Sequence, residues 1–294
     1  MMKFTTDNGN PVCTTELKDR FGVYLDNDSL IELAKGDPAR RDRLLKALRC
    51  GGDLLFSWTN AVEVTGPEGA SARAVRDFLD RVGPCWVPLH MNAWTVVERE
   101  RAALTYQAPV STEFVEAYIK ERIHNLYQAN PVVLDLSAEA FFRLGAVLDW
   151  GQQNKGQIRK CADILDQKLQ ELLKQERAED EKDPTFLDRM WPPVPFDDHR
   201  PATFVMIHLL RMLVVEAKAF QFKDHDARDF CHAVVAAAYG SVATLDKQWK
   251  RRVENLQKPN RLAKLYYRPE VDQLVDMLEE LIAVSNDGSS GLSG

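Results

Sequence analysis

Four acidic residues, far apart in the chain, lie in frames of apolar or small residues: Asp26, Glu63, Asp229 and Asp246. Asp26 and Asp246 end short apolar runs that predict buried strands, and Asp229 opens a run that predicts a helix. Carboxylates that follow parallel strands can meet in one crevice. Two such charges about 4 Å apart repel by roughly 4 kcal/mol at an effective dielectric constant near 20. The pattern therefore predicts a divalent-cation site, and hard oxygen ligands suit Mg²⁺ or Mn²⁺ and phosphodiester chemistry.

Each acid also has a purely structural interpretation, because an aspartate at a strand end often forms a turn or caps a helix. Asp229 is suited to capping its own helix, and Glu63 to facing solvent. Asp28 is predicted to cap the helix that begins at Ser29 rather than to bind metal. For Asp226, one turn before Asp229, an auxiliary ligand and a capping residue are equally good interpretations. Only the coincidence of all four acids favours the metal.

The most basic segment runs from Lys247 to Arg268 and carries eight Lys or Arg against one Glu, a local net charge of +7. Trp249, Tyr266 and Tyr267 lie among these cations, which suits phosphate contacts combined with base stacking. The predicted nucleic-acid contacts are Lys247, Lys250, Arg251, Arg252 and Trp249. A solvated helix face explains the segment equally well.

Composition sets wide limits on the class of protein. The chain has 294 residues, 45% hydrophobic and 28% charged, with a formal net charge of −6, which is ordinary for a soluble globular protein. Its five cysteines form no Cys-x-x-Cys pair, so we expect neither a disulfide framework nor a zinc knuckle, and a cytoplasmic location. We expect no signal peptide at Met1 to Asn10, and no membrane span at Phe204 to Phe220, which carries four charged or histidine side chains.

The elements that must position the acids alternate between strand and helix in the first hundred residues. Predicted strands are Phe21 to Asp26, Asp53 to Trp58 and Cys85 to Leu89. Predicted helices are Ser29 to Lys35, Pro38 to Leu48, Asn60 to Val64 and Ala70 to Val82. This alternation predicts an α/β fold with a parallel sheet. It resumes later with helices at Phe204 to Phe220 and Asp226 to Tyr239 and a strand at Ser241 to Leu245.

The middle of the chain has a different character, since strand patterns stop and long amphipathic helices follow. They are predicted at Thr112 to Tyr127, Ala138 to Trp150 and Ile158 to Glu179, followed by a proline-rich loop from Asp183 to Pro201. We therefore divide the chain into a first core part (1–100), a helical insertion (101–201), a second core part (202–258), a C-terminal helix (259–284, with its amphipathic pattern from Val271 to Val284) and a flexible tail (285–294).

Four motifs carry a resemblance to a known family: Val23–Ile31, Asn60–Glu63, Asp226–Ala233 and Val242–Asp246. In their order and frames they resemble the motifs of PIN-domain nucleases. That resemblance implies a compact α/β core with three or four acids at the carboxyl ends of a parallel sheet. It also implies a bound Mg²⁺ or Mn²⁺ and hydrolysis of phosphodiesters, most often in RNA. Many members are toxins of toxin–antitoxin pairs, so an antitoxin or regulatory protein and a homodimer are open as partners.

The resemblance assigns roles to individual residues. Asp26, Glu63 and Asp229 would be metal ligands directly or through water, Asp246 would hold a second ion or a coordinated water, and Asp226 would assist. The metal would activate water and offset charge on the phosphate. The chain departs from the family in its helical insertion and in the segment that follows Asp26, where a small hydroxyl residue is usual and Asn27 stands instead. This departure is expected to change the hydrogen bonding around the ligands.

Two other classes of protein stay open. The spacing of Asp26 and Asp28 after an apolar strand also resembles the first motif of haloacid-dehalogenase-type phosphatases. That interpretation predicts a covalent aspartyl-phosphate and release of phosphate from small monoesters. The third class is a non-catalytic scaffold whose helical insertion binds a partner, and it predicts no stabilisation by divalent cations.

Overall fold

The computed structural model describes residues 2–7, 10–15, 20–64, 70–103, 143–216, 226–256 and 261–289. The helix predicted at Thr112 to Tyr127 lies outside these ranges, as do the ends of two other predicted helices, 138–142 and 217–220. The chain forms two compact units. The first unit comprises 1–89, 110–155 and 268–294, and the second comprises 90–109 and 156–267.

The described residues form strands and helices that we number in chain order. They are β1 (Met2–Asp7), β2 (Asn10–Thr15), β3 (Phe21–Tyr24), α1 (Asn27–Lys35), α2 (Pro38–Gly51), β4 (Gly52–Phe56), α3 (Trp58–Val64), α4 (Ala70–Val82), β5 (Trp86–Pro88), α5 (Ala93–Ala102), α6 (Leu144–Gln153), α7 (Lys155–Asp180), α8 (Phe186–Met190), α9 (Pro201–Val215), α10 (Asp226–Tyr239), β6 (Val242–Thr244), α11 (Lys247–Asn255), β7 (Lys264–Tyr266), a 3₁₀ turn (Arg268–Glu270) and α12 (Val271–Ser289).

The fold is α/β with parallel strands flanked by helices, which confirms the predicted class. In the first unit the strands lie in the order β5-β4-β3, with Val23 opposite Leu54 and Leu54 opposite Trp86. In the second unit β6 pairs in parallel with β7, and Ala243 is opposite Leu265. All residues of β4 are buried, as expected for a parallel strand covered on both faces.

Local sequence explains where the helices of the first unit begin and end. At α2, the Asp37 carboxylate accepts from the Ala39 N–H and Pro38 occupies the first turn, where its missing donor costs nothing. The N–H of Gly52 then closes the helix on the Leu48 carbonyl. Helix α12 packs on α2, and it continues to Ser289, five residues beyond the predicted end at Val284.

The first unit also contains a hairpin that the sequence analysis did not predict. Strands β1 and β2 pair antiparallel, with Asp7 opposite Asn10. The dipeptide Asn8-Gly9 lies between them in the sequence and favours a two-residue hairpin turn. A signal for this hairpin was therefore present in the sequence.

Helices α5, α9 and α10 pack on one another in the second unit, and ten residues of α10 are buried. Small side chains such as Ala233, Ala236 and Ala237 allow the close approach that this packing needs. The carboxylate of Glu100 on α5 accepts from the N–H groups of Ala202 and Thr203 at 2.8 and 2.7 Å, which satisfies two donors at the start of α9. Neither α5 nor this buried acid was predicted from the sequence.

Among the residues described here, no helix combines the length and the apolar character needed to cross a membrane.

Candidate functional site

Asp26 lies directly beyond the carboxyl end of β3 and caps helix α1. Its Oδ1 accepts from the Ser29 N–H at 3.0 Å, and its backbone carbonyl accepts from Leu30 at 2.9 Å. Asp28 is exposed in the first turn of α1. The prediction that Asp28 caps this helix is therefore wrong, because the strand-end residue Asp26 takes that role and keeps its half-buried carboxylate at the end of the strand.

Glu63 lies on α3 and is linked to the start of α1. The side-chain amide of Asn27 donates a hydrogen bond from Nδ2 to Glu63 Oε2. Glu63 is only partly exposed, so it is not simply a solvent-facing helix residue. Because Asn27 immediately follows Asp26, this bond brings Glu63 to the same end of the first unit as Asp26.

A buried polar network fixes the helix that carries Glu63. Asn60 Oδ1 accepts from the Ser57 N–H at 3.0 Å and from the Ser57 hydroxyl at 2.6 Å. The amide of Asn60 also donates from Nδ2 to the Tyr24 hydroxyl at 3.2 Å. Ser57, Asn60 and Tyr24 are fully buried. The network ties the N-terminus of α3 to β3, the strand that precedes Asp26.

Replacing Tyr24 by Phe should lower the free energy of unfolding by about 1–2 kcal/mol, because the buried Asn60 amide loses its acceptor while the ring stays in place. Chemical denaturation measures the change. The control is Tyr267→Phe, the same substitution at a half-buried tyrosine, for which we expect a change below about 0.5 kcal/mol. Equal effects in the two variants would contradict a structural role for the Tyr24 hydroxyl.

In the second unit, Asp246 follows β6 directly and precedes α11. Asp246 occupies the N-cap position of α11, and its backbone carbonyl accepts from the Lys250 N–H at 2.8 Å, but its exposed side chain makes no capping hydrogen bond to the helix. Asp229 and Asp226 both lie in the first turn of α10. Helix α10 packs on β6 and α11, the two elements that flank Asp246.

A residue that the sequence analysis did not single out caps α10. Asp166 on α7 is 6% exposed, and its Oδ1 accepts from the Ala227 N–H at 3.1 Å. The guanidinium of Arg228 lies 3.8 Å from the other carboxylate oxygen. Because Asp166 lies on another helix, no local sequence pattern predicts that it caps α10. Asp166 therefore takes part of the capping role that was considered for Asp226 and Asp229.

Each unit thus carries two of the four predicted acids, Asp26 and Glu63 in the first and Asp229 and Asp246 in the second. Among the described residues, no group of three or more His, Cys, Asp or Glu side chains is placed to hold a metal ion.

The candidate metal ligands of the first unit, the carboxylates of Asp26 and Glu63, fit a hard cation. All of them are oxygens, and two further oxygens, Asn27 Oδ1 and Ser29 Oγ, are buried without a hydrogen-bond partner among the described residues. Oxygen ligands of this kind are those that Mg²⁺ and Mn²⁺ prefer.

His232 and Cys231 are core residues of α10. Burial, with a contribution from the charge of Arg228, lowers the pKa of His232 to about 3, and burial raises the pKa of Cys231 to about 12. Both side chains are therefore neutral at physiological pH.

The depressed pKa of His232 predicts that the folded state is sensitive to acid. In the unfolded chain this imidazole binds a proton with a pKa near 6.5, whereas in the folded chain its pKa is about 3. Stability should therefore fall as the pH drops below 6.5. Between pH 7 and pH 5 this one group should cost about 2 kcal/mol. Denaturation of wild type and His232→Gln at both pH values measures it, with His199→Gln as the exposed control. A wild-type loss that persists undiminished in His232→Gln would contradict the assignment.

The basic segment is divided between core and surface. Trp249 is 2% exposed and packs edge-on against Phe230, with ring centroids 6.0 Å apart. Arg252 is 6% exposed, lies over the Trp249 ring at 5.1 Å and pairs with Glu216 at 3.3 Å. Neither side chain presents a surface to a nucleic acid, so the predictions of base stacking by Trp249 and phosphate contact by Arg252 are corrected.

Lys247 and Arg251 remain as exposed cations of α11. Lys250 is half-buried, lies 3.6 Å from Glu254 and places its ammonium 5.4 Å from the centre of the Tyr267 ring. Tyr267 is the partly exposed aromatic of this segment. It follows β7, whose Tyr266 carbonyl accepts from Leu245 N at 2.9 Å, so Tyr267 and Asp246 lie at the same edge of the paired strands.

No model of a known protein family, no curated protein and no solved structure matches the chain.

Proposed function

We propose that the protein is a PIN-like, metal-dependent nuclease that hydrolyses phosphodiester bonds, in RNA before single-stranded DNA. The observation that carries the proposal is the hydrogen bond from Asn27 to Glu63, because it links Glu63 to the residue that directly follows Asp26 at the end of β3. Asp246 supports it, since this acid also follows a parallel strand and its side chain is exposed.

In this proposal Asp26, Glu63, Asp229 and Asp246 hold Mg²⁺ or Mn²⁺, with Asp226 assisting. The bound cation supplies activation of a water molecule and neutralisation of charge on the phosphate. Asn27 keeps the Glu63 carboxylate oriented, and the network of Tyr24, Asn60 and Ser57 holds its helix. The aspartates that follow strands are held by backbone already ordered in the sheet, which limits the entropy lost on binding.

Substrate binding in the proposal uses the exposed cations beside Asp246. Lys247 and Arg251 lie one turn apart on α11 and can approach successive phosphates of one strand. The ring of Tyr267, at the same edge as Asp246, is the aromatic surface to which a base has access. An overall acidic chain with cations concentrated here directs a polyanion to this end of the second unit.

The described cysteines Cys50, Cys85, Cys161 and Cys231 are all free thiols, which suits the cytoplasm. An antitoxin or regulatory protein is proposed as a partner on the strength of the family resemblance alone.

Stabilisation by metal tests the proposal without a substrate. A cation that binds only the folded chain at 100 times its dissociation constant raises the free energy of unfolding by about 2.7 kcal/mol. We expect Mn²⁺ to raise the midpoint temperature of thermal unfolding of the wild-type protein, and we expect EDTA to reverse the rise. Asp26→Asn should lose the response, whereas Asp28→Asn should keep it. A scaffold would show no response in any variant.

The double variant Lys247→Gln, Arg251→Gln should bind single-stranded RNA more weakly. Losing two phosphate contacts should also reduce the slope of log affinity against log salt by about 1.4. Fluorescence anisotropy at several salt concentrations, in the absence of divalent metal, measures both. The matched control is Lys168→Gln, Lys174→Gln, which also removes two positive charges from exposed positions, here on α7. An unchanged slope in the α11 variant would remove these cations from the substrate surface.

A further inference from the structure

The side chain of Asn27 has two ends, and only its amide nitrogen has a partner. Nδ2 donates to Glu63 Oε2, whereas Oδ1 is buried and without a hydrogen-bond partner among the described residues. The orientation of the amide is fixed by chemistry, because a carboxylate accepts hydrogen bonds and cannot donate them when ionised. Turning the amide round would place two acceptors face to face. The oxygen of Asn27 is therefore the end of the amide that Glu63 does not satisfy.

A second oxygen in the same helical turn has the same property. Ser29 is fully buried, and its Oγ has no partner among the described residues, although its backbone N–H bonds to Asp26. A buried polar atom left unsatisfied costs about 1–3 kcal/mol, so two within one turn point to a group that satisfies them. Both oxygens can act as acceptors or ligands.

The chemistry around these oxygens selects the kind of group. Asp26 and Glu63 each provide a carboxylate to the same turn, one by capping α1 and one through Asn27. An anion would be repelled by the two carboxylates, and an apolar group would leave the oxygens unsatisfied. A cation with a preference for oxygen ligands fits both requirements.

We propose that Asn27 Oδ1 is itself a ligand of the divalent cation, beside Asp26 and Glu63. This inference rests on the proposed function, since it concerns the same metal. It gives Asn27 two roles, orienting Glu63 through its nitrogen and binding the cation through its oxygen. The neutral amide adds an oxygen ligand without adding to the repulsion between the carboxylates.

Exchange of the ligand atom tests the inference. Sulfur favours soft cations and oxygen favours hard ones, so Asn27→Cys should raise the ratio of Cd²⁺ to Mn²⁺ affinity at least about 10-fold. Electron paramagnetic resonance of free Mn²⁺ during titration with Cd²⁺ measures the ratio. Asn27→Ala loses the same bond to Glu63 but offers no thiol, and Asp28→Cys offers a thiol at the adjacent exposed position. Both controls should keep the wild-type ratio.

A ratio for Asn27→Cys equal to that of Asn27→Ala, with Mn²⁺ bound by the wild type, would overturn the inference and leave the proposed function standing. Failure of the wild type to bind Mn²⁺ would overturn both. Asn27→Asp gives a second measurement that does not depend on the cysteine variant folding. It keeps an oxygen, so it should bind Mn²⁺ more tightly than Asn27→Ala, and equal or weaker binding would contradict the assignment.

Discussion

Replacing Glu100 by Ala should lower the free energy of unfolding by about 3 kcal/mol. The side chain is 2% exposed, and its carboxylate accepts from the backbone of Ala202 and Thr203, from the Thr203 hydroxyl at 2.7 Å and from the Tyr239 hydroxyl. The substitution leaves the buried donors of Ala202 and Thr203 without this acceptor. It also removes a negative charge from the N-terminus of α9, where the helix dipole favours one.

Two variants make this prediction specific. Glu98→Ala changes an exposed glutamate on the same helix and should alter stability by less than about 0.5 kcal/mol. Glu100→Gln keeps one acceptor oxygen but turns an amide donor towards other donors, so we expect an intermediate loss. Urea denaturation measures the free energy of unfolding of the three variants and so ranks their losses of stability. If Glu100→Ala and Glu98→Ala had the same effect, Glu100 would not be the acceptor that joins α5, α9 and α10.

The alternation of strands and helices could be predicted because local patterns there agree with the fold. Helices α4 and α10 have the predicted bounds, since apolar residues recur at helical spacing within each. Helix α5 was missed because its second half, Glu98-Arg99-Glu100-Arg101, is charged, and only packing shows that Glu100 points inward. Strand β7 has three residues and begins with an exposed lysine, too short a pattern to separate from a loop.

At the candidate site the sequence identified which residues follow the strands but not what they bind. The bond between Asn27 and Glu63 joins residues 36 positions apart, so no local pattern contains it. The burial of Trp249 did have a signal. Trp249, Val253 and Leu256 recur at helical spacing and are all buried, which marks one face of α11 as core. The net charge of the segment does not reveal this apolar face, and for that reason Trp249 was wrongly predicted to be accessible to a base.

Replacing Asp26 by Asn should reduce the rate of metal-dependent cleavage by at least about 100-fold, because changes even to the partners of metal ligands cost 10- to 100-fold. The fold should be retained, since Asn caps helices as well as Asp does and can still accept from the Ser29 N–H. A lost rate therefore reports the missing charge rather than unfolding. Single-turnover cleavage of a labelled RNA in Mn²⁺ measures it, with circular dichroism to verify the fold.

Asp28→Asn is the matched control for Asp26→Asn, because it makes the same change two residues away at an exposed position. In the nuclease proposal it keeps wild-type activity. In a haloacid-dehalogenase-type phosphatase, Asp28 would be the acid of the reaction, so Asp28→Asn would lose hydrolysis of small phosphomonoesters. Loss of activity in this control would therefore favour the phosphatase.

The most direct test is cleavage of labelled single-stranded RNA and DNA by the wild-type protein in Mn²⁺, Mg²⁺ or EDTA, beside Asp26→Asn and Asp229→Asn. These two variants change one acid in each unit. We predict cleavage in either metal, none in EDTA, and loss of cleavage in both variants. Cleavage that persists in EDTA or in both variants would contradict the metal-dependent nuclease, as would intact substrates under every condition.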